Sequence, residues 1–183
     1  MTRGCGAVPP ATRTDRQMQT QSVVDQIRQR LTGIGDNYNR LVLLVGPSGS
    51  GRTAALRVLA DAEKVPVLNV GAEISRQLLD LTERQRVLQL PKLLEDAVAG
   101  LPCDLTILDN AEVLFNPVLK QDPLRLLQGL SRDRTIVASW LGDVDSGHLT
   151  YAVPEHPEFR RYPSTDLLLV CLRHGDEPAK VQR

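Results

Sequence analysis

Apolar residues in this chain follow two alternating patterns. Short continuous apolar runs, typical of strands buried on both faces of a parallel sheet, predict strands at residues 40–45, 65–70, 104–108, 134–140 and 166–172. Between these runs apolar residues recur at helical spacing, which predicts helices at 15–31, 53–60, 72–81, 83–99 and 117–130, with Pro91 marking a helix junction. This alternation predicts an α/β fold, a three-layer α/β/α sandwich around a mostly parallel five-stranded sheet.

The first predicted helix precedes the first predicted strand of the core. Its apolar residues Val23, Val24, Ile27 and Leu31 share one face, so it is expected to pack on the core or on a partner. The expected division of the chain is a disordered tail (1–14), an N-terminal amphipathic helix and loop (15–38), the core (39–175) and a tail (176–183).

Composition narrows the function classes. The 183 residues suffice for one domain, and 22 basic against 22 acidic residues give a net charge of +0, which offers no global electrostatic case for nucleic-acid binding. Cys5, Cys103 and Cys171 are too far apart in sequence to indicate a zinc site or a disulfide framework. No segment is apolar enough for a signal peptide or a membrane span, so a cytoplasmic protein without membrane contact is expected.

One segment carries most of the functional information. It follows the phosphate-binding (Walker A) pattern, and we call residues 46–53 the phosphate loop: Gly46, Pro47, Ser48, Gly49, Ser50, Gly51, Arg52 and Thr53. A predicted strand precedes the loop and a predicted helix follows it, as the motif requires. Residues 39–175 are therefore predicted to form a P-loop NTPase core that binds ATP and Mg²⁺, with Thr53 as a Mg²⁺ ligand.

Arg52 stands where this pattern has lysine. Arginine keeps the positive charge and can bond phosphate oxygens, but it is longer, planar and forked. Three interpretations follow: nucleotide is bound but turned over slowly or not at all, Arg52 points elsewhere and the site is degenerate, or the arginine is an introduced substitution.

A second segment supplies the acidic half of the predicted site. Asp109 ends an apolar strand, where an acidic residue holds Mg²⁺ opposite the phosphates. Asn110 follows, where many P-loop ATPases carry the water-activating glutamate, and Glu112 could take that role if the turn brings it round. Along the chain, a predicted strand at 65–70 lies between the two motifs. This favours the class of ATPases in which another strand of the sheet separates the strand that carries the acidic residue from the strand that precedes the phosphate loop. Nucleotide kinases share the sequence of the phosphate loop, but they also need an arginine-rich lid, and no convincing lid segment is present.

Further catalytic candidates lie late in the chain. Ser139, at the end of a predicted strand, could sense the γ-phosphate as in AAA+ ATPases, or could simply end the strand. Arg160 and Arg161 are candidates for an arginine finger that reaches a neighbouring subunit's site, with Arg132 and Arg134 as alternates. The alternative for Arg160 and Arg161 is a solvated surface pair.

Three segments together resemble the BrxF family, the small P-loop proteins of type 3 bacteriophage exclusion (BREX) systems: residues 43–51, 108–115 and 149–158. The loop is common to many ATPases, whereas the other two segments are more specific, and the similarity runs from about residue 20 to 172. The resemblance implies an AAA+-like ATPase core in a phage-defence complex with a DNA methyltransferase and possible DNA contact. It places nucleotide and Mg²⁺ at Gly46, Gly51, Thr53 and Asp109, while Arg52 departs from the family's usual lysine.

About ten residues follow the last predicted strand, too few for the helical lid of larger AAA+ ATPases. An open site of this kind is expected to be completed by a neighbouring copy or a partner, so a homo-oligomer is predicted. The function classes that remain are an ATPase subunit of a defence complex, a nucleotide-binding scaffold without turnover, and, less favoured, a small nucleotide kinase.

Overall fold

The computed structural model describes residues 13–172, and the predicted tails lie almost wholly outside this range. The expected absence of a helical lid concerns residues 173–183, which the structure does not describe either. Five α-helices fall within the described residues: α1 (Arg13–Leu31), α2 (Arg52–Glu63), α3 (Val70–Leu78), α4 (Glu83–Ala99) and α5 (Pro123–Leu130). None of the helices in this part of the chain is both long and apolar enough to cross a membrane.

The strands form two sheets. They are β1 (Leu41–Gly46), β2 (Val67–Asn69), β3 (Leu105–Asp109), β4 (Thr135–Leu141), β5 (Asp143–Asp145), β6 (His148–Tyr151), β7 (Arg160–Pro163) and β8 (Leu168–Cys171). The main sheet has the order β2-β3-β4-β1-β8 with every pair parallel. Strand β4 therefore separates the acidic strand β3 from the loop strand β1, which confirms the predicted separation, although the intervening strand comes from later in the chain than residues 65–70.

Alternate residues of β1 fill the two cores, as period-two geometry requires of a strand buried on both faces. Val42 and Leu44 pack with α1 and α2, whereas Leu43 and Val45 face the core built with α3, α4 and α5. Together with the parallel five-stranded sheet, this arrangement confirms the predicted three-layer α/β/α sandwich.

Helix α1 joins the first of these cores. Val23, Val24 and Ile27 are fully or nearly fully buried against α2 and the sheet. The apolar stripe of the helix is thus used within the molecule, the first of the two alternatives that its pattern allowed.

Pro91 does not mark a helix junction, contrary to the sequence prediction. It lies inside α4, which begins instead at a capping box between Thr82 and Gln85. A proline cannot donate to the carbonyl four residues earlier, which is that of Val87. The side-chain amide of Gln121 donates to this oxygen at 2.8 Å, so a neighbouring segment satisfies the acceptor that Pro91 leaves open.

The single helix predicted at residues 117–130 is also wrong. Two 3-10 turns, Ala111–Phe115 and Pro117–Leu119, precede a break at Lys120, whose φ is 50°. The α-helix begins only after Asp122, whose carboxylate accepts from the backbone N–H of Arg125. Proline at the first helical position favours this later start.

Sequence reasoning missed the second sheet. Strands β5, β6 and β7 form a small antiparallel sheet in a part of the chain where no strand was predicted. It follows β4 directly through Gly142, where an added Cβ would lie 1.9 Å from the Thr150 carbonyl oxygen. Only glycine fits this close approach, and the small sheet consequently sits at the carboxyl edge of the main sheet, the edge that holds the phosphate loop.

Candidate functional site

The phosphate loop turns back on itself through residues that only glycine suits. Gly49 and Gly51 have φ of 75° and 92°, in the left-handed region. At Gly46 an added Cβ would lie 2.6 Å from the Ser50 hydroxyl and 3.0 Å from the Leu172 side chain. The glycines of the motif therefore let the chain leave β1 and enter α2 within a tight turn.

The entry to α2 has the features of an anion site. Gly51 is its N-cap and supplies no side-chain oxygen, so the first N–H groups of the helix have no side-chain cap. The Ser50 hydroxyl oxygen is buried without a hydrogen-bond partner among the described residues. Unpaired donors at a helix N-terminus bind phosphate well, and the geometry fits the phosphate group that the motif predicts.

Asp109, the last residue of β3, lies beside Ser139, which is two residues before the end of β4. Both are buried, and the backbone N–H of Asn110 donates to the Asp109 carboxylate at 3.0 Å and to the Ser139 hydroxyl at 3.1 Å. The alternation along the two strands turns both side chains to the face covered by α2, because Ile107 and Val137, two residues earlier, pack there. Thr53 is the second residue of α2. The fold therefore brings the predicted Mg²⁺ ligands and the predicted sensor to one face of the sheet.

Asn110 makes the turn out of β3. Its φ of 55° is left-handed, a conformation that asparagine tolerates better than most residues. The chain then enters the 3-10 turn that carries Glu112. Asn110 consequently shapes the backbone of the site, and the nearest carboxylate beyond Asp109 comes from the following turn.

Arg52 contacts this carboxylate directly. Its Nη1 lies 3.2 Å from Oε1 of Glu112, and the two side chains are 13% and 30% exposed. The turn thus brings Glu112 round to the phosphate loop, where it pairs with the residue that replaces the motif's lysine. Sequence analysis had named both residues for the site but had not predicted that they contact each other.

Tyr151 of the small sheet adds a group that sequence analysis missed. Its hydroxyl donates to Glu158 at 3.3 Å, and its ring stacks on Phe115 with centroids 3.5 Å apart. Burial first, and then the charge and hydrogen bond of Glu158 and the charge of Glu112, raise the pKa of Tyr151 to about 12, while Arg52 opposes the shift. No sequence signal placed this tyrosine beside the loop, because its position depends on the β6–β7 hairpin.

The arginine-finger candidates occupy two ends of the molecule. Arg160 is half-buried, and its guanidinium donates to the carbonyl of Phe159. Arg161 is exposed on β7, with its Nη2 3.1 Å from Nδ1 of His148. Arg161 is therefore the more exposed of the two.

The alternates precede β4, at the sheet edge opposite the phosphate loop. Arg134 donates to the carbonyls of Val98, Leu101 and Cys103 and so caps the end of α4, while the Arg132 guanidinium lies over the Tyr38 ring. Both arginines therefore have structural contacts within the chain. Across residues 13–172, no group of three or more His, Cys, Asp or Glu side chains could hold a metal ion.

Comparisons with known proteins give only structural matches. No protein-family model matches the chain, and no curated protein does. Among solved structures it is similar to PCH-2 of C. elegans (TM-score 0.44, 14% identity, 88% of this chain and 43% of that one). It is similar also to AMPPCP-bound DnaA from Aquifex aeolicus (TM-score 0.43, 13% identity, 88% and 47%). The chain spans less than half the length of either protein.

Proposed function

We propose that this chain is a P-loop NTPase subunit that binds ATP and Mg²⁺. The phosphate loop carries the proposal: its glycines adopt the required backbone, it opens a helix with uncapped N–H groups, and it presents the buried, unpartnered Ser50 hydroxyl. Thr53 and Asp109 would hold Mg²⁺, which neutralises phosphate charge when bound. Ser139 supports the turn that positions Asp109 through their shared contact with the Asn110 N–H.

The test is titration calorimetry with ATP–Mg²⁺, joined to steady-state phosphate release, at several protein concentrations. Asp109→Asn is expected to lower turnover on the order of 100-fold, because it removes a carboxylate charge from the proposed Mg²⁺ site. Thr106→Val is a matched control on the same strand, since Thr106 is buried and faces the opposite core. Absence of any ATP binding by the parent protein at millimolar nucleotide would overturn the proposal.

A nucleotide-binding scaffold without turnover is the second candidate. The Arg52–Glu112 pair favours this candidate. The ion pair occupies both the cation of the phosphate loop and Glu112, the carboxylate that could activate the attacking water. Arg52→Lys separates the two candidates. If lysine raises turnover, the chain is an ATPase slowed by its arginine; if both forms bind ATP and neither hydrolyses it, the chain is a scaffold. Turnover that depends on an added acceptor would instead indicate the kinase.

We further propose that the chain acts in a BREX phage-defence complex that contains a DNA methyltransferase. The two specific segments of the resemblance meet beside the phosphate loop, where Phe115 from one stacks on Tyr151 from the other. This contact supports a common role for both segments. Co-expression with a type 3 BREX methyltransferase should give a co-eluting complex, and separate elution at micromolar concentration would count against it. DNA contact should appear in a shift assay at low salt and weaken as salt rises.

We also propose that the chain self-associates. Arg161 is exposed on the small sheet at the same edge as the phosphate loop, where it could reach the nucleotide of a second copy. The amphipathic helix α1 keeps an exposed polar face on the outside of the molecule that a second copy could contact.

A further inference from the structure

Arg52 is the only cationic side chain of the phosphate loop, and in the structure Glu112 already engages it. The distance of 3.2 Å between Nη1 and Oε1 is that of a charge-assisted hydrogen bond. The arginine side chain is 13% exposed, so water and salt screen this pair less than they screen a surface pair.

A polyphosphate needs the same guanidinium. Arginine binds carboxylate and phosphate with the same fork of N–H donors, so Glu112 and a nucleotide phosphate are chemically alternative partners. The carboxylate also repels an incoming phosphate, since like charges a few ångströms apart in a half-buried site oppose each other. Lysine, a compact point charge on a flexible stem, would present a different donor geometry to the carboxylate.

We propose that Glu112 is an internal competitor for Arg52 that lowers the affinity of the site for nucleotide. Nucleotide binds by taking Arg52 from Glu112, and the carboxylate becomes available near the phosphates only after that exchange. Glu112 therefore acts through Arg52 and raises the nucleotide concentration at which the site fills. The inference rests on the proposed function, because it presupposes a polyphosphate in the loop.

Titration calorimetry with ATP–Mg²⁺ on Glu112→Gln tests it. The amide keeps the shape of the side chain but loses its charge, and ATP is expected to bind roughly tenfold more tightly. Glu63→Gln is the matched control, since this carboxylate also pairs with an arginine, Arg28, but lies at the end of α2 far from the phosphate loop. Its dissociation constant should stay within about twofold of the parent value.

Each outcome decides a different point. Unchanged or weaker ATP binding by Glu112→Gln, with measurable binding by the parent protein, overturns the competition and leaves the proposed function standing. Equal tightening by both variants also overturns it, because a general charge effect would then suffice. No binding by any form overturns the proposed function and this inference together.

A second variant guards against misfolding of the first. Glu112→Asp keeps the charge but shortens the reach toward Arg52, so it should also bind ATP more tightly than the parent if contact with the guanidinium matters. Pyrophosphate serves as a second ligand, because it tests the phosphate contact without the base and sugar. If Glu112→Gln binds ATP more tightly but not pyrophosphate, the competition is not for a phosphate contact and the inference fails.

Discussion

Asn110 and Glu112 have different structural roles in the segment that follows β3. Asn110 adopts a left-handed backbone, and its N–H ties together the Asp109 and Ser139 side chains. Glu112, one turn later, supplies the carboxylate that reaches Arg52. A glutamate at position 110 would have to adopt the left-handed conformation that asparagine tolerates better. The segment therefore has a local reason to carry its second carboxylate two residues further on.

Tyr151 gives a prediction about alkaline pH. Its pKa is raised from 10.0 to about 12, so the folded protein keeps the phenolic proton in a range where the unfolded chain loses it. The stabilisation is complete below pH 10 and is lost as pH rises to about 12. Tyr151→Phe should therefore show a smaller fall in unfolding free energy between pH 9 and about 12, measured by urea denaturation followed by circular dichroism. Equal falls in the two proteins would refute the assignment.

At the scale of elements, sequence patterns were most reliable where burial dictates them. The main-sheet strands and helices α1, α2 and α4 lie where the apolar runs and stripes predicted. The error at Pro91 has a non-local cause. Pro91 is tolerated inside α4 because Gln121, distant in sequence, satisfies the Val87 carbonyl, and no local pattern reveals such a partner.

The same contact can be tested with paired substitutions. Gln121→Ala should lower the free energy of unfolding by about 1–2 kcal/mol, because it leaves the half-buried carbonyl oxygen of Val87 without a hydrogen-bond donor. In a Pro91→Ala background the restored N–H of residue 91 can bond that carbonyl, so Gln121→Ala should cost markedly less. Urea denaturation of the four proteins measures both effects. An equal cost in the two backgrounds would show that Gln121 acts in another way.

At the scale of the whole molecule, the carboxyl edge of the main parallel sheet, which holds the phosphate loop, adjoins the small antiparallel sheet. The sequence predicted the parallel sheet and the placement of Asp109 at the end of its strand, because motif and periodicity are local, whereas β4 continues two residues beyond Ser139. The small sheet was not predicted, since its strands have only three or four residues each and the connection between β6 and β7 contains two prolines. The Arg52–Glu112 and Tyr151–Glu158 contacts depend on the docking of distant segments and could not be read from spacing.

Self-association is the prediction that belongs to this scale. If Arg161 completes a neighbouring site, ATP turnover per subunit should rise with protein concentration, and Arg161→Ala should remove most of that rise. Arg125→Ala, at an exposed arginine on α5, is a control for the loss of one surface charge. Gel filtration with and without ATP–Mg²⁺ gives the oligomeric state directly. A monomer under both conditions, with turnover independent of concentration, would contradict the prediction.

Trp140 lies at the point where the two sheets join. Its ring packs edge-on against Phe115 and Tyr162, and its indole N–H donates to the Thr150 carbonyl. It is also the only tryptophan in the chain. The tryptophan fluorescence of the protein therefore comes from one apolar position between the phosphate-loop edge and the small sheet. If nucleotide shifts the small sheet, the emission maximum should move without any label, so the molecule carries its own reporter of communication between its two sheets.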